Sequence, residues 1–180
     1  MRRLVAVLLV SMLAVSFSVA GESGVNESTT LDGTGIVSSQ YADVIHENGQ
    51  FAMSLTLDEG TNVTSIQWIT QICINSGVCY PPETNDMGSE NGLTYSATVD
   101  VNDTATYINW KFVMHSEDGS ESTIPDTGFG WKVWSDCWWD NMTWGGPSTD
   151  CQEKDGGLPG FAAPIAVAAI AMAALMARRD

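Results

Sequence analysis

Phe51-Ala-Met53-Ser-Leu55-Thr-Leu57 alternates apolar and polar or small side chains without a break and stops at Asp58-Glu59-Gly60. A period of two turns one row of side chains to a core and the other to water, which predicts a half-buried β-strand. The same reading extends outward along the chain. Ile66–Ile72 is a second strand. Leu93–Val99 is a third, closed by the turn-prone Asp100-Val-Asn-Asp103. Ile108–Met114 is a fourth, closed by Ser116-Glu-Asp-Gly119, and Gly128–Trp134 is a fifth. No helical stripe interrupts them. Short strands separated by turns predict an all-β fold, an antiparallel immunoglobulin-like β-sandwich over residues 36–151.

Both ends of the chain differ from this middle. Met1–Ala20 has Arg2-Arg3, an apolar run over Leu4–Val15 and small residues Ser18-Val19-Ala20, the pattern of a secretory signal helix. Residues 21–35 are rich in Gly, Ser, Thr, Asn and acids, and read as a flexible acidic leader. Residues 152–160 form a polar spacer. Phe161–Ala177 is an uncharged run at the lower limit for a membrane span, followed by the basic tail Arg178-Arg179-Asp180. The order Pro159-Gly160-Phe161, short apolar helix, terminal arginines resembles the PGF-CTERM sorting signal of archaeal surface proteins. That resemblance implies cleavage near the tripeptide and attachment to a lipid; a plain membrane anchor is the other reading. Either way residues 21–157 lie outside the cell, anchored to the outer face of the cytoplasmic membrane.

The exported part carries 21 acids against Lys111, Lys132 and Lys154, a formal charge of −18. Such a surface repels phosphate backbones and excludes nucleic acid as a partner. Four Asn-X-Ser/Thr sequons, at Asn26, Asn62, Asn102 and Asn141, are candidate glycan sites expected to be exposed. No spacing of acids singles out a general acid/base pair, and there is no Gly-rich phosphate loop. Asp100–Asp103 and Ser116–Gly119 read as solvated turns rather than Ca²⁺ loops. Five tryptophans, Trp131, Trp134, Trp138, Trp139 and Trp144, crowd around Cys137. The expectation is that Trp131 and Trp134 pack in or near the core while the others cap the neighbouring cysteine loop; an exposed aromatic platform is the alternative.

Four cysteines in an exported chain allow disulfides, and four allow three pairings. Cys73 and Cys79 stand at the end of a strand with Gly77 between them, a spacing that bridges across a hairpin. Cys137 and Cys151 then form the second pair, a structural disulfide. Zinc is disfavoured because paired Cys-x2-Cys ligands are missing and His46 and His115 stand far apart. No cofactor or metal is expected. A short hairpin bridge adds little loop-closure entropy, so structure alone gives it a weak reason to exist, and tight exposed bridges are often the reducible kind.

Cys73-Ile-Asn-Ser-Gly77-Val-Cys79-Tyr80-Pro81-Pro82-Glu83-Thr84 is similar to the redox loop of the N-terminal (alpha) domain of the thiol:disulfide interchange protein DsbD, with Val78 where that family has an aromatic residue. The resemblance implies an immunoglobulin-like sandwich. It implies that Cys73 and Cys79 are the reactive pair, with Tyr80, Pro81 and Pro82 as a rigid shoulder. It also implies two kinds of partner: a membrane-embedded electron-transfer protein and thioredoxin-like extracytoplasmic proteins. No cation lies near the pair in sequence, and Glu83 and Asp86 would raise a thiol pKa, which fits a passive carrier better than an aggressive oxidant. The competing expectation is a non-catalytic glycosylated surface or adhesion domain with two structural disulfides.

Overall fold

The computed structural model describes residues 21–75, 77–140 and 142–152. The signal at residues 1–20, Asn141, Pro159-Gly160-Phe161, the apolar run and the basic tail lie outside the described residues. The described residues form β-strands and no helix. In chain order the strands are β1 (Ile36–Tyr41), β2 (Gln50–Leu57), β3 (Val63–Asn75), β4 (Val78–Cys79), β5 (Glu83–Asp86) and β6 (Gly88–Ser89). Then follow β7 (Thr94–Asp100), β8 (Tyr107–Ser116), β9 (Glu121–Ile124), β10 (Trp131–Trp134), β11 (Trp138–Asp140) and β12 (Thr143–Gly145). All lie in one compact unit, Ala20–Ser148.

Every pairing between these strands is antiparallel. One sheet has the order β1-β2-β7-β6. The other is built on the long pair β3 and β8, which runs in register from Val63 opposite Ser116 to Cys73 opposite Tyr107, with one irregularity between Val63 and Ser65. Both β9 and β10 line the free edge of β8, and β4 and β5 line the free edge of β3. A small ribbon, β11-β12, stands apart.

Period-two burial decides which side chains face inward. In β2, Phe51, Met53, Leu55 and Leu57 are buried. So are Ile66 and Trp68 of β3, and Ile108, Trp110, Phe112 and Met114 of β8. These rows from both sheets belong to one core together with Trp131 and Val133 of β10. Phe51 bridges the two layers, with ring centroids 5.9 Å from Trp68 and 5.5 Å from Trp110. Trp110 also stacks on Trp131 at 6.2 Å and takes the edge of Tyr41 at 4.9 Å. Aromatic rings of this size carry most of a small core's buried area.

The boundaries differ from the sequence reading in three places. Strand β3 is longer at both ends than Ile66–Ile72, because the flanking residues continue its pairing with β8 and β4. The expected Gly128–Trp134 strand begins only at Trp131, and the polar β9 precedes it without an alternating pattern to announce it. The leader is the third place, where the structure shows contacts that its composition does not announce. It is not a free segment: Glu27 exchanges backbone hydrogen bonds with Lys132, and the Trp134 N–H donates to the side-chain oxygen of Asn26 at 3.0 Å. Low hydrophobicity hid this because the leader is held through its backbone and polar groups at the edge of β10.

Candidate redox site

The site follows from strand parity. Even-numbered residues of β3 and β8 face the core, so Cys73, Tyr107 and Asn109 project from the opposite face. Opposite Cys73 on the other edge of β3 stands Cys79, and the two are disulfide-bonded. Gly77 closes the hairpin with φ of +85°, a left-handed conformation open to glycine and strained for other residues. Its N–H donates to the Tyr107 hydroxyl at 3.5 Å. From below, the Thr106 N–H and hydroxyl donate to the carbonyls of Cys73 and Ile74 at 2.8 and 2.6 Å.

After Tyr80 the ladder along this edge of β3 is briefly interrupted. Pro81 and Pro82 have no N–H to offer a ladder, so β4 ends and pairing resumes only at Glu83. Tyr80 is tied down on both sides: its N–H donates to the Ile72 carbonyl at 2.9 Å, and its own carbonyl accepts from Gln71 Nε2 at 3.0 Å. Tyr80, Pro81 and Pro82 are exposed beside the bond. Glu83 stands opposite Thr70 and Asp86 opposite Gln67. Asp86 is thus six residues along β3 from Cys73, about 20 Å at strand rise and beyond a Debye length. Its closeness in sequence does not become closeness to the sulfur.

The two sulfurs stand in different surroundings. Cys73 is wholly buried, at 0% exposure, whereas Cys79 is exposed. The Sγ of Cys73 lies 3.6 Å from the side-chain Nδ2 of Asn109. The Sγ of Cys79 lies 3.9 Å from the Tyr107 hydroxyl, which accepts from Gly77 and so has its proton free to give. Lys132 Nζ sits 5.2 Å from the centre of the Tyr107 ring and is ion-paired with Glu27 at 2.6 Å. Tyr107, Asn109, Thr106 and Lys132 were absent from the sequence-derived site. Asn109 was legible only as an outward position on a strand; nothing local places it beside a cysteine.

Cys137 and Cys151 are also disulfide-bonded and buried, and no cysteine is free. The tryptophans divide. Trp131 is in the core. Trp134 projects outward, packing on Tyr107 at 5.0 Å and on Trp138 at 4.9 Å. Trp139 is 43% exposed and meets Trp144 edge-on at 4.9 Å in the ribbon. Of the sequons, Asn26 and Asn62 are exposed, while Asn102 is half-buried and its side-chain oxygen accepts from the Thr104 N–H. Among the described residues no group of three or more His, Cys, Asp or Glu is placed to hold a metal ion.

No protein-family model and no curated protein sequence matches this chain.

Proposed function

We propose that the chain is an exported, membrane-anchored thiol–disulfide carrier that cycles Cys73–Cys79 between disulfide and dithiol. The unequal exposure of the two bonded cysteines carries this reading. An incoming thiolate reaches only Cys79. Its attack breaks the Cys73–Cys79 bond, forms a mixed disulfide at Cys79 and leaves the electron pair on Cys73. The partner's second thiolate then attacks its own mixed-disulfide sulfur and releases Cys79. The partner ends as a disulfide; Cys73 and Cys79 end as a dithiol holding two electrons and the partner's two protons. The reverse sequence passes them on.

The two antiparallel sheets with a shared core support the immunoglobulin-like sandwich that the redox-loop resemblance implies. Two disulfides fit an oxidising compartment, in line with the signal and anchor read from the termini. Thioredoxin-like proteins and a membrane-embedded electron-transfer protein are the partners this reading names. The rival, a glycosylated adhesion domain, draws on the exposed Trp139 beside Trp144 and on the exposed Asn62.

A redox titration with mass-tagged thiols separates the two. A carrier needs a midpoint for Cys73–Cys79 of roughly −120 to −270 mV, well above that of Cys137 and Cys151. Resistance of both bonds down to about −300 mV would remove the carrier and leave the surface domain.

A further inference from the structure

We infer that Asn109 is the residue that stabilises Cys73 as the departing thiolate, and thereby tunes how readily the Cys73–Cys79 bond accepts electrons. This inference rests on the carrier reading above.

The chemistry creates a need at Cys73. When a thiolate attacks Cys79, the leaving group is the Cys73 sulfur, and the lower its thiol pKa, the faster it leaves. Complete burial works against this, because desolvation disfavours the charged sulfur. The thiolate therefore needs a donor fixed in place before the bond breaks. Asn109 Nδ2, at 3.6 Å from Cys73 Sγ, is such a donor. An N–H bond to a neutral disulfide sulfur is weak, while the same bond to a thiolate is charge-assisted and about twice as strong. The contact thus gains strength as charge develops on Cys73, which is the differential stabilisation a catalytic group must supply.

Position makes the donor reliable. Asn109 lies in the interior of β8, with Gln71 of β3 on one side and Lys132 of β10 on the other. A strand paired along both edges holds a side chain more firmly than a loop does. The charged groups around it compete little. Lys132, its cross-strand neighbour, is already paired with Glu27, Lys111 is the next outward residue of β8, and Glu83 stands opposite Thr70. Tyr107 serves the other sulfur.

The test is peptide-resolved alkylation of Cys73 across pH, in full-length protein reduced with excess phosphine, alongside the glutathione redox equilibrium. Asn109→Leu should raise the midpoint of the Cys73 profile by about one pH unit, a tenfold loss of thiolate below it. At a pH above both midpoints the equilibrium should move roughly tenfold toward the disulfide, which corresponds to about 30 mV. Asn109→Asp, of nearly the same shape but without the donor, should move both further. Asn109→Gln, which keeps the N–H group, should recover part of the loss. Tyr107→Phe should leave the Cys73 midpoint in place. A wild-type Cys73 midpoint and equilibrium in both Asn109→Leu and Asn109→Asp would overturn the inference. The alkylation profile reads Asn109 even if wild-type Cys73–Cys79 resists physiological reductants, an outcome that would sink the carrier alone.

Discussion

Cys73 and Cys79 stand directly opposite each other in the β3–β4 ladder and share a disulfide, yet one is wholly buried and the other exposed. The bond has an entry side and an exit side. In fully reduced protein, Cys79 should be alkylated by iodoacetamide at least roughly tenfold faster than Cys73, since access strongly favours it. Peptide mapping by mass spectrometry at short reaction times reads the ratio. Equal labelling would contradict the directional attack.

Gly77 tests the hairpin itself. Nothing lies within 4 Å of a Cβ added there, so space is not at issue, but φ of +85° is. Gly77→Ala should cost the oxidised protein about 1 kcal/mol in a denaturant titration. The strain belongs to the closed loop, so the same substitution should also make the bond easier to reduce. An unchanged denaturation midpoint would mean that the loop tolerates another conformation.

The leader offers a third prediction. A Cβ on Gly24 would run into the ring of Trp134. Gly24→Ala should therefore push the leader or the ring aside and loosen the Asn26 and Glu27 bonds to β10, costing ~1–3 kcal/mol. Chemical denaturation gives the cost, and Trp134 fluorescence should shift with it. Wild-type stability would show that the leader contributes nothing to the fold.

Charge predicts a dependence on salt. With −18 over residues 21–157 and three lysines, compaction brings like charges together. Raising NaCl from about 0.05 to 1 M shortens the Debye length from over 10 Å to about 3 Å. The urea midpoint should rise across that range because self-repulsion in the folded state is screened. A flat or falling midpoint would show that the acids are balanced by specific contacts.

Tyr41 sets an alkaline limit. Burial first, and the nearby charge of Asp43 second, hold its phenol above the ordinary 10.0. The folded chain then keeps a proton that the unfolded chain releases. This contribution is fully present below pH 10 and is lost as pH rises from there through the raised value. Tyr41→Phe should flatten the alkaline fall of the melting temperature without changing its behaviour near neutrality. An identical alkaline limb in both proteins would contradict it.

The strands that carry the core were legible because alternation is a local property. Phe51–Leu57 and Ile108–Met114 announce their buried rows in their own residues, and a hairpin-sized spacing was enough to pair Cys73 with Cys79. Polar pieces were not legible. The strand β9, the extended start of β3 and the docked leader each set a single apolar residue, Ile124, Val63 and Leu31, against the core and are otherwise held by backbone bonds to neighbouring strands.

The surroundings of the cysteines depended on tertiary structure altogether. Sequence neighbours placed Glu83 and Asp86 beside the thiols, whereas the ladder carries Asp86 away and brings in Tyr107 and Asn109 from about 30 residues downstream. Register between β3 and β8 makes that exchange, and register is set by which of Trp68, Trp110, Phe112 and Phe51 interlock in the core. A slip of one residue would turn Asn109 to the other face. Which segments are strands, which of their faces are apolar and which cysteines lie close enough to join could be read from the residues alone, because each is settled within a few residues. Which sulfur is buried, and which donor meets it, was decided by side chains packing across two sheets.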